Sequence, residues 1–174
     1  MHFFDEKFRH NKARYILQAC FAGAAVGAAL VLFDVVTQPV IIASFGASAF
    51  IAFAMPHGHI GTPRHIVGGY VVGVIVGCLI HFATFLPTDR YITEKALYII
   101  SGAVAVMLSM FIMTITDTEH PPASSIALGF VINEWTIHTV VMVLAGISVI
   151  SLIQRTLRGR MMDILESPEH HYKA

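Results

Sequence analysis

Charge is scarce in this chain. Only 13% of its residues are charged and 56% are hydrophobic, with a mean hydropathy of +0.71; ordinary soluble domains carry about 25% charged residues. That shortage excludes an ordinary water-soluble domain. Cysteine is nearly missing as well. Cys20 and Cys78 fall inside apolar runs, where a thiol acts as a small buried hydrophobe rather than half of a disulfide. There is no His-Glu-x-x-His helix, no Gly-x-Ser-x-Gly turn and no phosphate-binding loop. The chain therefore reads as a non-enzyme with no cofactor. Its 11 Lys and Arg are matched by 11 Asp and Glu, so nucleic acid is not an expected partner. An Arg- and Ser-rich transit peptide is also lacking, which points to a bacterial inner membrane rather than an organelle. Ala22-Gly23-Ala24 imitates a signal-peptidase site, but the apolar run continues to Phe33 and is long enough to span.

Long apolar runs are what the chain has instead. Six can be read: Tyr15–Phe33, Val40–Met55, Ile66–Leu86, Ala96–Thr116, Pro122–Ile132 and Ile137–Ile153. A spanning helix needs about 20 residues, at about 1.5 Å of rise each, to cross about 30 Å of hydrocarbon. The first, third and fourth runs meet that length and the sixth is slightly short. The second and fifth are shorter, and each follows a proline, which a helix tolerates in its first turn. The expected fold is all-α: a polytopic bundle forming a single membrane domain over 1–174. A basic segment, 1–14, precedes the first run, and a polar tail, 154–174, follows the last. Lys7, Arg9, Lys12 and Arg14 at one end and Arg155, Arg158 and Arg160 at the other place both termini in the cytoplasm by the positive-inside rule. Six crossings are favoured over re-entrant second and fifth segments.

The two halves repeat. A shift of 83 residues places Lys12, Ala13, Tyr15 and Ile16 on Lys95, Ala96, Tyr98 and Ile99, and Ala22 on Ala105. The same shift puts Asp34 on Asp117, Pro39 on Pro122 and Gly46 on Gly129. An Asp, a Pro and a Gly at common spacing are not apolar filler, so repeat one (about 12–86) and repeat two (about 95–153) are read as a duplication. Each is a long helix, a polar turn, a short proline-started helix and a third helix, an arrangement that gives inverted repeats if all segments cross. Gly69-x-x-x-Gly73-x-x-x-Gly77 and Gly23-x-x-x-Gly27 make smooth stripes where helix backbones approach closely. They suit packing within one protomer or a subunit interface, and a homo-oligomer is expected. Trp135 and Tyr91 read as interfacial anchors, Met107, Met110 and Met113 as one apolar helix face, and His81 and His138 as packing or interfacial residues.

The polar breaks carry the functional signal. Thr118-Glu119-His120-Pro121-Pro122-Ala123-Ser124-Ser125 interrupts the fourth and fifth runs, and Asp34–Pro39 interrupts the first and second. A helix beginning inside a protein presents unpaired N–H groups and a partial positive charge. Two such starts facing each other would form a small-anion site. The candidate ligands are His120, Pro121, Pro122, Ser124 and Ser125 at one break, Thr37 and Gln38 at the other, and Ser44 and Ser48 four apart on the first short helix. Asp34, Asp117 and Glu119 would repel an anion unless neutral, paired or turned outward. They are read as helix caps, as partners of His120 in proton coupling, or as cation ligands. An unperturbed His120 would titrate near neutral pH. His57, His59 and His65 stand in or beside the Gly- and Pro-rich connection Pro56–Arg64 and read as solvated, so no metal site is assigned; His170 and His171 belong to the tail.

His120-Pro121-Pro122, its run of small residues, and the upstream Ala43-Ser44-Phe45-Gly46-Ala47-Ser48-Ala49 followed by Pro63-Arg64 resemble the HPP family of integral membrane proteins over roughly residues 12–153. The resemblance implies transport of a small inorganic anion, with nitrite the activity attributed to plastid members. The expected partners are then the lipid bilayer and that anion. Two other classes stay open: a cation or metal transporter using His57, His59, His120 and the acidic residues, and a membrane subunit that does not transport.

Overall fold

A computed structural model describes residues 6–33, 39–84 and 93–165. Six α-helices follow one another: α1 (Glu6–Phe33), α2 (Pro39–Ala54), α3 (Pro63–Thr84), α4 (Glu94–Thr116), α5 (Pro121–Ile132) and α6 (Ile137–Leu157). Short 3-10 turns cover His59–Gly61 and Arg158–Arg160, and no strand occurs among the described residues. The helix starts follow from the sequence. Pro39, Pro63 and Pro121 open α2, α3 and α5, where the missing N–H costs nothing and φ is already helical. Thr93 caps α4 by accepting from the Ala96 amide, and Thr136 forms a reciprocal capping box with Thr139 on α6. The end of α4 is equally local. Asp117 adopts a left-handed φ of 54° and its N–H bonds the Met113 carbonyl, turning the chain sharply towards α5.

Among the described residues, four helices are long and apolar enough to cross a membrane: His10–Val31, Pro63–Thr84, Glu94–Thr116 and Ile137–Arg160. The expected six crossings are therefore not six full spans. With 16 and 12 residues, α2 and α5 reach about 24 Å and about 18 Å, less than the hydrocarbon thickness. Both are held by the long helices instead. Ile126, Ala127, Phe130 and Val131 of α5 are buried, as are Phe45, Ala49, Ala52 and Phe53 of α2. The outer surface is apolar, with Leu79, Phe82, Ile99, Phe111, Ile115 and Leu152 exposed. Large apolar side chains outside and hydroxyls inside are the arrangement of a helical membrane bundle, whose exterior meets lipid.

The packing is symmetric in its connectivity. Exchanging α1, α2 and α3 with α4, α5 and α6 maps every helix–helix contact onto another, α1·α2 onto α4·α5 and α1·α6 onto α3·α4, while α2·α5 and α3·α6 map onto themselves. That is what two related three-helix halves would give. The short helices run antiparallel. Val40 at the start of α2 lies where a Cβ on Gly129 would meet it, while Ser44 bonds the Pro122 carbonyl and Ser48 bonds His120.

The Gly69/Gly73/Gly77 stripe packs inside the protomer, against α5. A Cβ on Gly73 would collide with the Ala123 carbonyl, one on Gly77 would lie 2.7 Å from Phe130 Cβ, and one on Gly69 would lie 2.7 Å from His120 Cβ. A Cβ on Gly23 or Gly27 would meet nothing within 4 Å among the described residues. Cys20 is exposed rather than buried, on the apolar outer surface, and Cys78 is half-buried. Beyond α6 the chain packs against the bundle, so residues 154–165 of the expected polar tail belong to the packed structure. Gln18 of α1 donates to the carbonyls of Phe53 (2.6 Å) and Met162 (2.8 Å) and accepts from the Met162 amide, while the Ile164 amide bonds the Ala54 carbonyl. These bonds satisfy carbonyls at the end of α2. Tyr91, His170 and His171 lie outside the described residues.

Candidate functional site

His120 is the N-cap residue of α5 and is only 1% exposed. It stands in the connection after α4, outside the four spans. A row of polar groups runs inward from it. His120 Nε2 is 2.8 Å from Ser48 Oγ, Ser48 Oγ 2.9 Å from the Tyr70 hydroxyl, and that hydroxyl 2.7 Å from Ser44 Oγ. Ser44 then donates to the Pro122 carbonyl at 2.7 Å, and His120 Nδ1 lies 3.2 Å from the Ile60 carbonyl. α2, α3 and α5 each supply part of the row, and Gly69 allows α3 close enough to hold Tyr70 beside His120.

Counting hydrogens fixes the direction of this chain. A carbonyl oxygen only accepts, so Ser44 gives its single hydrogen to Pro122 and must accept from Tyr70. Tyr70 must then accept from Ser48, and Ser48 from Nε2–H. Neutral His120 is thus the Nε2–H tautomer, with a bare Nδ1 facing the Ile60 carbonyl. Only the imidazolium satisfies all five contacts. Burial opposes that form and pushes His120 down to about 4, with the Ile60 carbonyl pulling the other way and neighbouring His65 adding to the depression. An unperturbed titration near neutral pH is therefore not what this site gives.

A groove of about 190 Å³ opens onto His120 between α4 and α5, lined by Thr114, Glu119, Pro121 and Ser124, with Met110 and Met113 as its apolar wall. The helix-terminus site expected from paired breaks is not formed. The starts of α2 and α5 lie at opposite ends of an antiparallel pair, about 18 Å apart by the length of α5. The start of α5 also lacks the donors such a site needs. Pro121 and Pro122 have no N–H, and the Ala123 amide is spent on the His120 carbonyl at 2.8 Å. Side chains, not backbone amides, make this site polar.

The other candidate residues fall in three places. Ser44 and Ser48 are buried in the hydrogen-bonded row, Ser124 lines the groove, and Ser125 is exposed. Asp34, Thr37 and Gln38 lie outside the described residues. Asp117 and Glu119 do not cap α5, whose N-cap is His120 without a side-chain capping bond. Instead they converge with His59 and His65, one ligand atom from each lying within 4.8 Å of all the others. His65, read from the sequence as solvated, is buried at 3% exposure. Tyr70 was missed in the sequence because a lone tyrosine in an apolar run carries no signal. Of the histidines proposed for a cation carrier only His59 joins the cluster; His57 instead approaches Asp163.

Comparison with known proteins agrees with a multi-pass membrane protein. Two transmembrane proteins of Dictyostelium discoideum are each 34% identical, over 89 and 88 residues, 51% of this chain in both cases. The chain covers 29% and 26% of those relatives, less than a third of their length. No solved structure matches the chain. The family model described as HPP, transmembrane region, matches residues 7–162, and the chain belongs to that family.

Proposed function

We propose that this protein moves a small inorganic anion across the membrane, nitrite being the first candidate, by way of the groove that ends at His120. One observation carries the reading: the interior is polar without being charged. Among the described residues, the buried polar side chains are Gln18, Ser44, Ser48, His65, Ser109, His120, Ser151 and Gln154, with no Asp, Glu, Lys or Arg. The hydroxyls and imidazole of the row can replace part of an anion's hydration shell by turning from one another towards the groove, and the carboxylate that lines the groove, Glu119, has its Oε2 directed at His65 instead. Family resemblance supports nitrite among such anions. Proton coupling belongs to the same reading, because the imidazolium is the form that satisfies every contact of the row. A bacterial inner membrane, cytoplasmic termini and a homo-oligomer complete the proposal.

The cluster of His59, His65, Asp117 and Glu119 favours a second reading, transport of a cation. The two readings differ in where polarity lies: acids at the surface connection, hydroxyls in the interior. Purified protein in liposomes separates them. Flux of nitrite, nitrate, formate and chloride, with and without a pH gradient, is expected to show nitrite movement that His120→Ala abolishes and His57→Ala spares. Metal-ion flux with no anion flux would reverse the assignment, and silence towards every ion would leave a non-transporting subunit.

A further inference from the structure

We propose that His59, His65, Asp117 and Glu119 bind one divalent transition-metal ion of the zinc class, clamping the α2–α3 connection to the α4–α5 connection. Within a group whose ligand atoms all lie inside 4.8 Å of one another, three separations suit an ion better than hydrogen bonds. His59 Nε2 lies 3.5 Å from Asp117 Oδ1, His65 Nε2 lies 3.6 Å from the same oxygen, and His65 Nε2 lies 3.6 Å from Glu119 Oε2. Charge-assisted N–H···O bonds close to about 2.7–2.9 Å. Ligand atoms around a tetrahedral zinc, each about 2.0–2.1 Å from the metal, stand about 3.4 Å from one another.

An independent observation points to a ligand in the same place. His65 Nε2 and Glu119 Oε2 are both buried with no hydrogen-bond partner, and each is aimed into the cluster. Their surroundings prepare them for a metal. His65 Nδ1 is 2.7 Å from Thr62 Oγ1; donation of Nδ1–H to that hydroxyl turns the Nε2 lone pair inward, as second-shell bonds do for metal-bound imidazoles. Arg64 lies 3.1 Å from Asp117 Oδ2, which engages one carboxylate oxygen and leaves Oδ1 for the ion. Two imidazoles and two carboxylates suit zinc, cobalt or nickel rather than magnesium or calcium, which prefer all-oxygen shells.

The site adjoins the proposed anion groove and shares Glu119 with it. Ile60, beside His59, supplies the carbonyl facing His120, and Glu119 precedes His120 directly. The clamp would therefore hold the floor of the groove in place. The inference does not rest on anion transport, and its test reads binding alone.

Tag-free full chain in detergent, stripped with a chelator, is titrated with Zn²⁺ and, separately, with Co²⁺. One equivalent should bind, with the intense visible absorption of four-coordinate Co²⁺, a rise in melting temperature and no competition from Mg²⁺. His59→Ala and Asp117→Asn alter half-exposed side chains and should keep the fold. Each should weaken binding more than the roughly 10–100-fold that a second-shell loss costs, and Thr62→Val should fall in that second-shell range. His57→Ala should bind like the parent. Lack of stoichiometric binding in the parent, or unchanged affinity in both His59→Ala and Asp117→Asn, overturns the site.

Discussion

Adding a single methyl group at Gly73 tests whether α5 is seated on the α3 glycine stripe. A Cβ built there collides with the Ala123 carbonyl and lies 3.3 Å from that residue's carbonyl carbon. Both obstacles are backbone in a helix that is itself buried, so no side-chain rotation relieves them. Overpacking of this kind costs about 1–3 kcal/mol. Replacing a mid-helix glycine by alanine returns about 1 kcal/mol of helix propensity. The difference is about 0–2 kcal/mol, and because the clash is with backbone, Gly73→Ala should destabilise towards the upper end, about 2 kcal/mol net, while Gly73→Leu should prevent stable assembly. Gly27→Ala is the matched control, because nothing lies within 4 Å of the added methyl; it should be neutral or slightly stabilising. Melting in detergent, followed by loss of the monodisperse peak after heating, measures all three. A Gly73→Ala protein as stable as the parent would show that α3 and α5 do not meet along this line.

Three further outcomes follow from the polar row and the α5 start. Tyr70→Phe removes the hydroxyl between Ser44 and Ser48; it should cost about 1–3 kcal/mol through unpaired buried groups and reduce anion flux, while Zn²⁺ affinity measured by titration stays unchanged. Because burial lowers the folded pKa of His120 to about 4 from 6.5, the unfolded chain binds the extra proton first. Stability is thus fully present above about pH 6.5 and declines towards pH 4, by up to about 3 kcal/mol; denaturation across that range should show the slope in the parent and lose His120's share of it in His120→Gln. Pro122→Ala restores a buried N–H in the first turn of α5 and should destabilise more than Pro121→Ala, whose site is exposed; equal melting temperatures would mean that the restored amide finds an acceptor.

Much of the framework was legible in one dimension. Prolines at 39, 63 and 121–122 mark helix starts because their chemistry is local, and the glycine stripe on α3 announces a close crossing before its partner is known. The pairing of α2 with α5 was not legible. The 83-residue repeat relates the two short helices, but it leaves open whether they meet head to head or side by side, and the antiparallel contact of Val40 with Gly129 decides it. His65 escaped notice for a similar reason. In sequence it borders a Gly- and Pro-rich connection that looks solvated, yet it lies two residues inside α3, on the face turned towards Asp117 and Glu119. Burial of a polar residue depends on which neighbour covers it, and that neighbour is more than fifty residues away.

The His-Pro-Pro sequence acquires a physical meaning from this arrangement. A helix that starts against apolar neighbours normally leaves N–H groups that must be paired or paid for. Here two consecutive prolines delete two of those donors, and the Ala123 amide turns back onto the His120 carbonyl. The start of α5 can then press on Gly69 and Gly73 with no stranded amide from these three residues. The helix dipole remains, because it belongs to the whole peptide array rather than to its first amides. What faces the groove is a weakly positive helix end carrying an imidazole, with its backbone donors removed. On the proposed anion-transport reading, such a surface would attract a small anion without gripping it through several amides at once, with Glu119 at the groove wall directed at His65, and weak, reversible attraction is what passage requires.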